Sequence, residues 1–289
     1  MLGYLSLAWG FAFLLIAVGL QSFPPLTLVT LRLFLGALML YIIMRRLGLA
    51  LPADTRWWLY FALLSITGNL IPFTLISWAE VHISSGQAGL LMALMPISTM
   101  LLAHFFVAHE QVTPARLLGV IAGFAGVAVM VGADALGGLG GVRLIAQLAV
   151  ITATFSYAVN SIFAKRLPPL NGLVVATGSL IAGTLLLLPF SLLIEQPWQL
   201  QTSLGPWLAT IVLGLFSTGL ATWIYFIVVS DCGPSFMSMI NYIIPVLSFA
   251  AGALLLGESV NAWQFVGLAA VCSGIALSQR RRGADPVSR

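Results

Sequence analysis

Residues 69–132 read NLIPFTLISWAEVHISSGQAGLLMALMPISTMLLAHFFVAHEQVTPARLLGVIAGFAGVAVMVG, and residues 218–278 read TGLATWIYFIVVSDCGPSFMSMINYIIPVLSFAAGALLLGESVNAWQFVGLAAVCSGIALS. Placing Pro96 on Pro245 sets an offset of 149. With one residue removed just before Glu258, Glu110 falls on Glu258, Arg116 on Gln264, Gly119 on Gly267 and Gly126 on Gly274. Each copy reads as an apolar helix with a proline in its middle, a glutamate at its end, a short turn and a glycine-spaced apolar helix. Upstream, Pro24-Pro25-Leu26 matches Pro168-Pro169-Leu170. Chance pairs Leu, Ala and Gly easily in an apolar sequence, but ordered matches of Pro, Glu and Gly at one spacing imply a duplication. Two halves of similar sequence imply two halves of similar shape.

Composition sets the solvent. Hydrophobic residues are 60% of the chain and charged residues 7%, with a mean hydropathy of +1.07, against roughly a quarter charged in a soluble domain. The chain reads as an integral membrane protein whose partner is the lipid bilayer. Its 289 residues hold about ten helices of ~20 residues with short connections, and leave no room for a soluble domain. Cys232 and Cys272 lack a second pair and histidine neighbours, so packing is their expected role and no metal or cofactor is implied. Met1 to Leu20 carries neither a basic segment nor a small-x-small cleavage site, and is expected to be a retained first helix.

Apolar runs between breakers predict spans at about 3–20, 26–44, 57–79, 84–108, 115–133, 143–164, 171–194, 206–229, 234–256 and 261–279. They are continuous rather than alternating, so helices are expected and not barrel strands. Ten of the twelve basic residues, Arg45, Arg46, Arg56, Arg116, Lys165, Arg166, Arg280, Arg281, Arg282 and Arg289, lie at even-numbered helix ends. The positive-inside rule then puts both termini in the cytoplasm, and makes the ends where the first span finishes and the second begins the outer ones. The net charge of +4 is thus spent on topology and implies no nucleic-acid partner. Five spans per half is an odd number, so the halves enter the membrane in opposite directions. The expected architecture is all-α: ten transmembrane helices in two inverted five-helix repeats, 1–133 and 143–279, around a central cavity, followed by a basic cytoplasmic tail, 280–289.

With that pattern in place the chain resembles the EamA-type members of the drug/metabolite transporter superfamily. The residues that carry the resemblance are Arg32 in Thr30-Leu31-Arg32-Leu33-Phe34, Pro96 with His109-Glu110, and Tyr242-Ile243-Ile244-Pro245 through Leu256-Gly257-Glu258 to Gly267 and Gly274. Among these carriers it looks most like the amino-acid exporters of the YddG type. The first copy departs from the pattern at Ala108-His109-Glu110, where a glycine normally precedes the glutamate. The resemblance implies export of small metabolites, amino acids above all, from the cytoplasm across the inner membrane by alternating access. A drug, vitamin or nucleotide-sugar carrier of the same fold is the alternative. A channel is a rival from another class, and an intramembrane enzyme is disfavoured because His-Glu-x-x-His, Gly-x-Ser-x-Gly, phosphate-loop and Gly-x-Gly-Asp patterns are all missing.

The candidate site is read from polar and aromatic residues inside the spans: Trp9, Arg32, Asn69, Tyr157, Asn160, Trp223, Tyr225, Asn241 and Tyr242. Aromatic walls with a few amides and hydroxyls suit an amphipathic small molecule. Arg32 is either a counter-charge for a substrate carboxylate or a cap on carbonyls between helices, and Ala176 stands at the matching place in the second half. Pro96 and Pro245 free the carbonyls of Met92 and Asn241, and are candidate hinges or packing kinks. His104 is the titratable residue within a span, read either as structural or as a coupling group. All eight acidic residues fall at or near helix ends or in connections, so transport without a dedicated proton site is expected. Gly119 and Gly123 permit close helix packing, within a monomer rather than between two copies.

Overall fold

A computed structural model describes residues 1–106, 141–237, 240, 243–259 and 262–278, with isolated positions between 118 and 129. The fifth predicted span, the basic tail, Asn241 and Tyr242 lie outside the described residues, as does the side chain of His104. Among the described residues the secondary structure is helical throughout. The helices are α1 (Leu2–Gly19), α2 (Pro25–Arg46), α3 (Thr55–Glu80), α4 (85–106), α5 (Val142–Lys165), α6 (Gly172–Glu195), α7 (Leu204–Asp231, continuing to Met237), α8 (Ile244–Leu255) and α9 (Ala262–Ser278). Six of them, α1, α2, α3, α5, α6 and α7, are long and apolar enough to cross a membrane. Their outward faces carry exposed leucines, isoleucines and phenylalanines, among them Phe34, Leu38, Leu59, Leu63, Leu148, Leu185 and Leu193, as lipid requires.

One boundary differs from the sequence reading. The eighth and ninth spans are expected to divide at 230–233, but α7 runs on through Pro234 to Met237, and α8 begins only at Ile244. Pro245 therefore sits in the first turn of α8 rather than in the middle of a helix. A proline is at home there, because the N–H it lacks would have had no intrahelical partner.

Each helix of the first stretch packs against one of the second. α2 lies on α6 and α7, the C-terminal part of α3 on α5 and its N-terminal part on α6, the start of α4 on α8, and α1 on α7 and α8. α2 and α7 meet backbone to backbone: a Cβ on Gly36 would stand 3.0 Å from the carbonyl of Gly214 and 3.0 Å from the amide of Gly219. Without lipid exclusion to drive association, this closeness is how helices in a bilayer gain contact energy. Where α6 crosses α3, the side-chain-free face of Gly178 receives the ring of Phe61.

The predicted outer end is fastened by carboxylates. A helix leaves its first N–H groups without intrahelical partners. At α2, Pro25 removes one such donor, and Glu195 at the end of α6 accepts from the next two, Leu26 N at 2.9 Å and Thr27 N at 2.6 Å, while Thr27 Oγ1 pairs with Ser191 Oγ at 3.0 Å. At α4, Glu258 in the α8–α9 connection accepts from Ser85 N (2.8 Å), Ser85 Oγ (2.7 Å) and Gly86 N (2.9 Å). Charge-assisted bonds of this kind are about twice as strong as neutral ones, and the helix dipole adds to them.

A central cavity around a buried arginine

Three helices change their winding where they face the middle of the bundle. Ile66–Leu70 of α3 and Leu213–Leu220 of α7 are π-helical, and Met92–Leu94 of α4 is a 3₁₀ turn just before Pro96. Irregular winding takes carbonyls out of the regular ladder, and inside a membrane they need other donors. They find them: Tyr4 Oη donates to Phe216 O at 2.9 Å, Trp9 Nε1 to Ser217 O at 3.0 Å and Ser156 Oγ to Thr67 O at 2.7 Å. The small residues at these places, Gly68, Gly214, Ser217, Thr218 and Gly219, let the winding relax.

The α3 and α4 segments border a cavity of about 130 Å³, which α7 lines just beyond its π segment, from Thr222 on; that is several times the ~10–15 Å³ that one water needs. The cavity joins Trp9 of α1, Arg32 of α2, Asn69 of α3, Tyr157 and Asn160 of α5, and Tyr225 of α7. So six of the residues singled out from sequence meet around one space. Trp223 does not; it is half-buried and packed on the core, one position round the helix from the lining Thr222. Trp198 and Trp207 are exposed near helix ends.

Arg32 is 2% exposed. Its Nε donates to Thr218 Oγ1 at 2.9 Å, in the π segment of α7, and its Cζ lies 3.8 Å from the centre of the Phe73 ring. A guanidinium has five N–H donors, so among the described residues four remain unspent in a side chain that lines the cavity. Among the described residues its one hydrogen-bond partner is a hydroxyl rather than a carbonyl. Phe73 holds the guanidinium plane by a cation–π contact that strengthens where water is excluded.

Hydroxyls and an amide from α5 and α7 also line the cavity. Tyr225 Oη donates to Ser161 Oγ at 3.3 Å, Ser161 Oγ to Tyr157 O at 2.9 Å, and Thr67 Oγ1 to Asn160 Oδ1 at 3.2 Å. The Trp9 and Tyr225 rings lie 6.1 Å apart, at 53° to one another. The hydroxyl of Tyr157 has no hydrogen-bond partner among the described residues. Phe13, Ile16, Ile76, Met92, Met95 and Phe226 add apolar surface, and among the described residues no acidic one lines it. Met92 opens the 3₁₀ turn and Met95 follows it, next to Pro96. Ordinary apolar residues at helical spacing give no hint in a sequence that they face a cavity, which is why they escape a reading of polar outliers.

Relatives agree with a carrier. An "Uncharacterized transporter YoaV" of Bacillus subtilis (strain 168) is 27% identical over 282 residues, covering 96% of this chain and 96% of its own. A "Probable terminal-alkyne amino-acid exporter" of Streptantibioticus cattleyicolor is 29% identical over 282 residues, covering 94% of this chain and 90% of its own. The "Uncharacterized inner membrane transporter YedA" of Escherichia coli (strain K12) is 23% identical over 94% of this chain and 87% of its own length. A protein of known crystal structure superimposes with a TM-score of 0.71 at 22% identity, over 96% of this chain and 94% of that one, and so shares its fold. The EamA-like transporter family matches residues 2–132 and 144–279, and this chain, a membrane transporter and not an enzyme, belongs to that family.

Proposed function

We propose that the protein exports amino acids or closely similar small carboxylates from the cytoplasm, binding them in the central cavity and releasing them outward by alternating access. The observation that carries this reading is Arg32, buried, lining the cavity, and with one hydrogen bond among the described residues, so that four of its five N–H donors have no partner there. A fixed, planar donor fork matches a carboxylate in two parallel bonds. In the same lining, the Tyr157 hydroxyl and Asn160 amide would orient the polar end, and the Trp9, Phe13 and Tyr225 rings would receive an apolar or aromatic body. The amino-acid exporter among the relatives supports the same substrate class. A nucleotide sugar would bring a doubly charged diphosphate to a cavity in which one guanidinium is the basic group among the lining residues.

The fold on which this reading rests is ten helices in two inverted halves, with both termini cytoplasmic and one chain as the working unit. The winding changes next to Pro96 and the helix start at Pro245 are the places where the halves would flex. Counterflow in proteoliposomes tests the substrate: vesicles preloaded with threonine, methionine or phenylalanine should take up the same labelled amino acid saturably. Arg32→Gln, purified and folded, should lose at least about tenfold in kcat/KM, the size expected for a lost charge-assisted bond, while Arg32→Lys keeps part of the activity. Absence of counterflow with every amino acid would remove the substrate class and leave the carrier.

A further inference from the structure

All eight acidic residues lie at helix ends or in connections by sequence, which implied a carrier without a proton site. Position along a helix is not exposure, and Glu80 shows the difference. It is the last residue of α3, and the residue as a whole is half-buried, yet both of its carboxylate oxygens are shut away from solvent and neither has a hydrogen-bond partner among the described residues. An ionised carboxylate left so is among the costliest arrangements a protein can hold, and the usual outcome is that the group keeps its proton.

Among the described residues the surroundings supply no hydrogen-bond partner for a negative charge. On the neighbouring α4 the amides of Ser85 and Gly86 are already taken by Glu258, a second acid that acts on Glu80 through space and opposes its charge. His82, two residues on, has its ring against Trp78 at 4.8 Å. Arg143 is exposed at the start of α5, the helix packed on this part of α3. The cation that acts on Glu80 is Arg32, and it does so across the interior without an ion pair. Glu80 stands seven residues beyond Phe73, whose ring holds Arg32, about 10 Å along α3 at 1.5 Å per residue.

We propose that Glu80 is a proton-binding site of this carrier, linked through the charge of Arg32 to the substrate position in the cavity. The linkage rests on the carboxylate reading of that cavity, and its sign follows from Coulomb's law. The free Arg32 charge favours ionised Glu80; a carboxylate on Arg32 cancels that charge, so Glu80 holds its proton more tightly. By reciprocity the proton tightens the carboxylate equally. The proton comes from bulk water and returns to it.

Infrared difference spectra of the full-length protein in lipid at neutral pH, wild type minus Glu80→Gln, test the site itself. A protonated-carboxyl carbonyl band, sensitive to deuteration and missing from the variant, is expected; Glu80→Ala serves the same subtraction if the glutamine variant does not fold. Glu258→Gln should remove carboxylate absorption instead. A difference confined to carboxylate bands overturns the proposal, whatever the protein transports. Titrating the Glu80 band then tests the linkage without a substrate: in Arg32→Gln it should persist to about tenfold lower proton concentration than in wild type, and an unmoved titration overturns the link. Phenylalanine added to the wild type should reproduce that shift. A shift in Arg32→Gln without one from phenylalanine faults the choice of substrate and not the proton site.

Discussion

Glu258 and Glu80 meet at the same corner of the molecule, where α3 ends and α4 begins, and their circumstances are opposite. Glu258 arrives from the α8–α9 connection and accepts three hydrogen bonds, two from backbone amides and one from a hydroxyl. Glu80 belongs to the corner itself and accepts none among the described residues. The first carboxylate has the N-terminus of a helix to complement its charge; the second is at a helix C-terminus, where the carbonyls and the macrodipole both repel a negative group. Two acids of one type, at the same depth, thus serve different ends: one fastens two parts of the bundle, and the other is poised to exchange a proton. Glu195 belongs with Glu258, holding α6 to the start of α2.

The contrast can be broken most forcefully at Glu258. Its truncation to alanine removes three bonds and leaves the amides of Ser85 and Gly86 without partners in a close-packed place, where Gly86 and Gly252 both lie against the carboxylate. A loss of about 3 kcal/mol in unfolding free energy is expected, read by denaturant titration in mixed micelles. Glu195→Ala should cost less, about 2 kcal/mol in the same titration, because two amides rather than three donors are released and the Thr27–Ser191 bond remains. Equal losses at the two positions would show that the hydroxyl of Ser85 adds nothing to the clamp.

How far this was legible in the sequence depends on whether the determining neighbour is local. Helices α1 to α4 and α5 to α7 follow from continuous apolar runs, because in lipid the backbone must satisfy itself within each segment. The α7–α8 boundary was missed since Asp231-Cys232-Gly233-Pro234 has the composition of a turn, yet the helix carries on through it. Arg32, Asn69, Tyr157, Asn160 and Tyr225 were visible as polar or aromatic groups in apolar runs. Trp223 had the same signature and faces the core, because one step of 100° separates it from the lining Thr222. Thr218 as the partner of Arg32, and the burial of Glu80, depend on helices more than a hundred residues away or on a corner closed by Glu258, and no local pattern encodes those.

The smallest expected effect is the sharpest test of the comparison. If Glu80 carries a proton, its carboxyl is already neutral, and an amide of nearly the same shape replaces it without changing the charge of the corner. Glu80→Gln should therefore leave the unfolding free energy within about 1 kcal/mol of wild type, as for a substitution that removes no bond. An ionised Glu80 would behave otherwise, since its interaction with Arg32 would disappear and the repulsion from Glu258 would be relieved, shifting stability in a salt-dependent way. Measured beside Glu258→Gln, which turns an acceptor-only carboxylate into a group with its own N–H donors facing Ser85 and Gly86, the two variants separate cleanly. The same chemical change is nearly silent at Glu80 and costly at Glu258, because only one of the two carboxyls is required to be a charge.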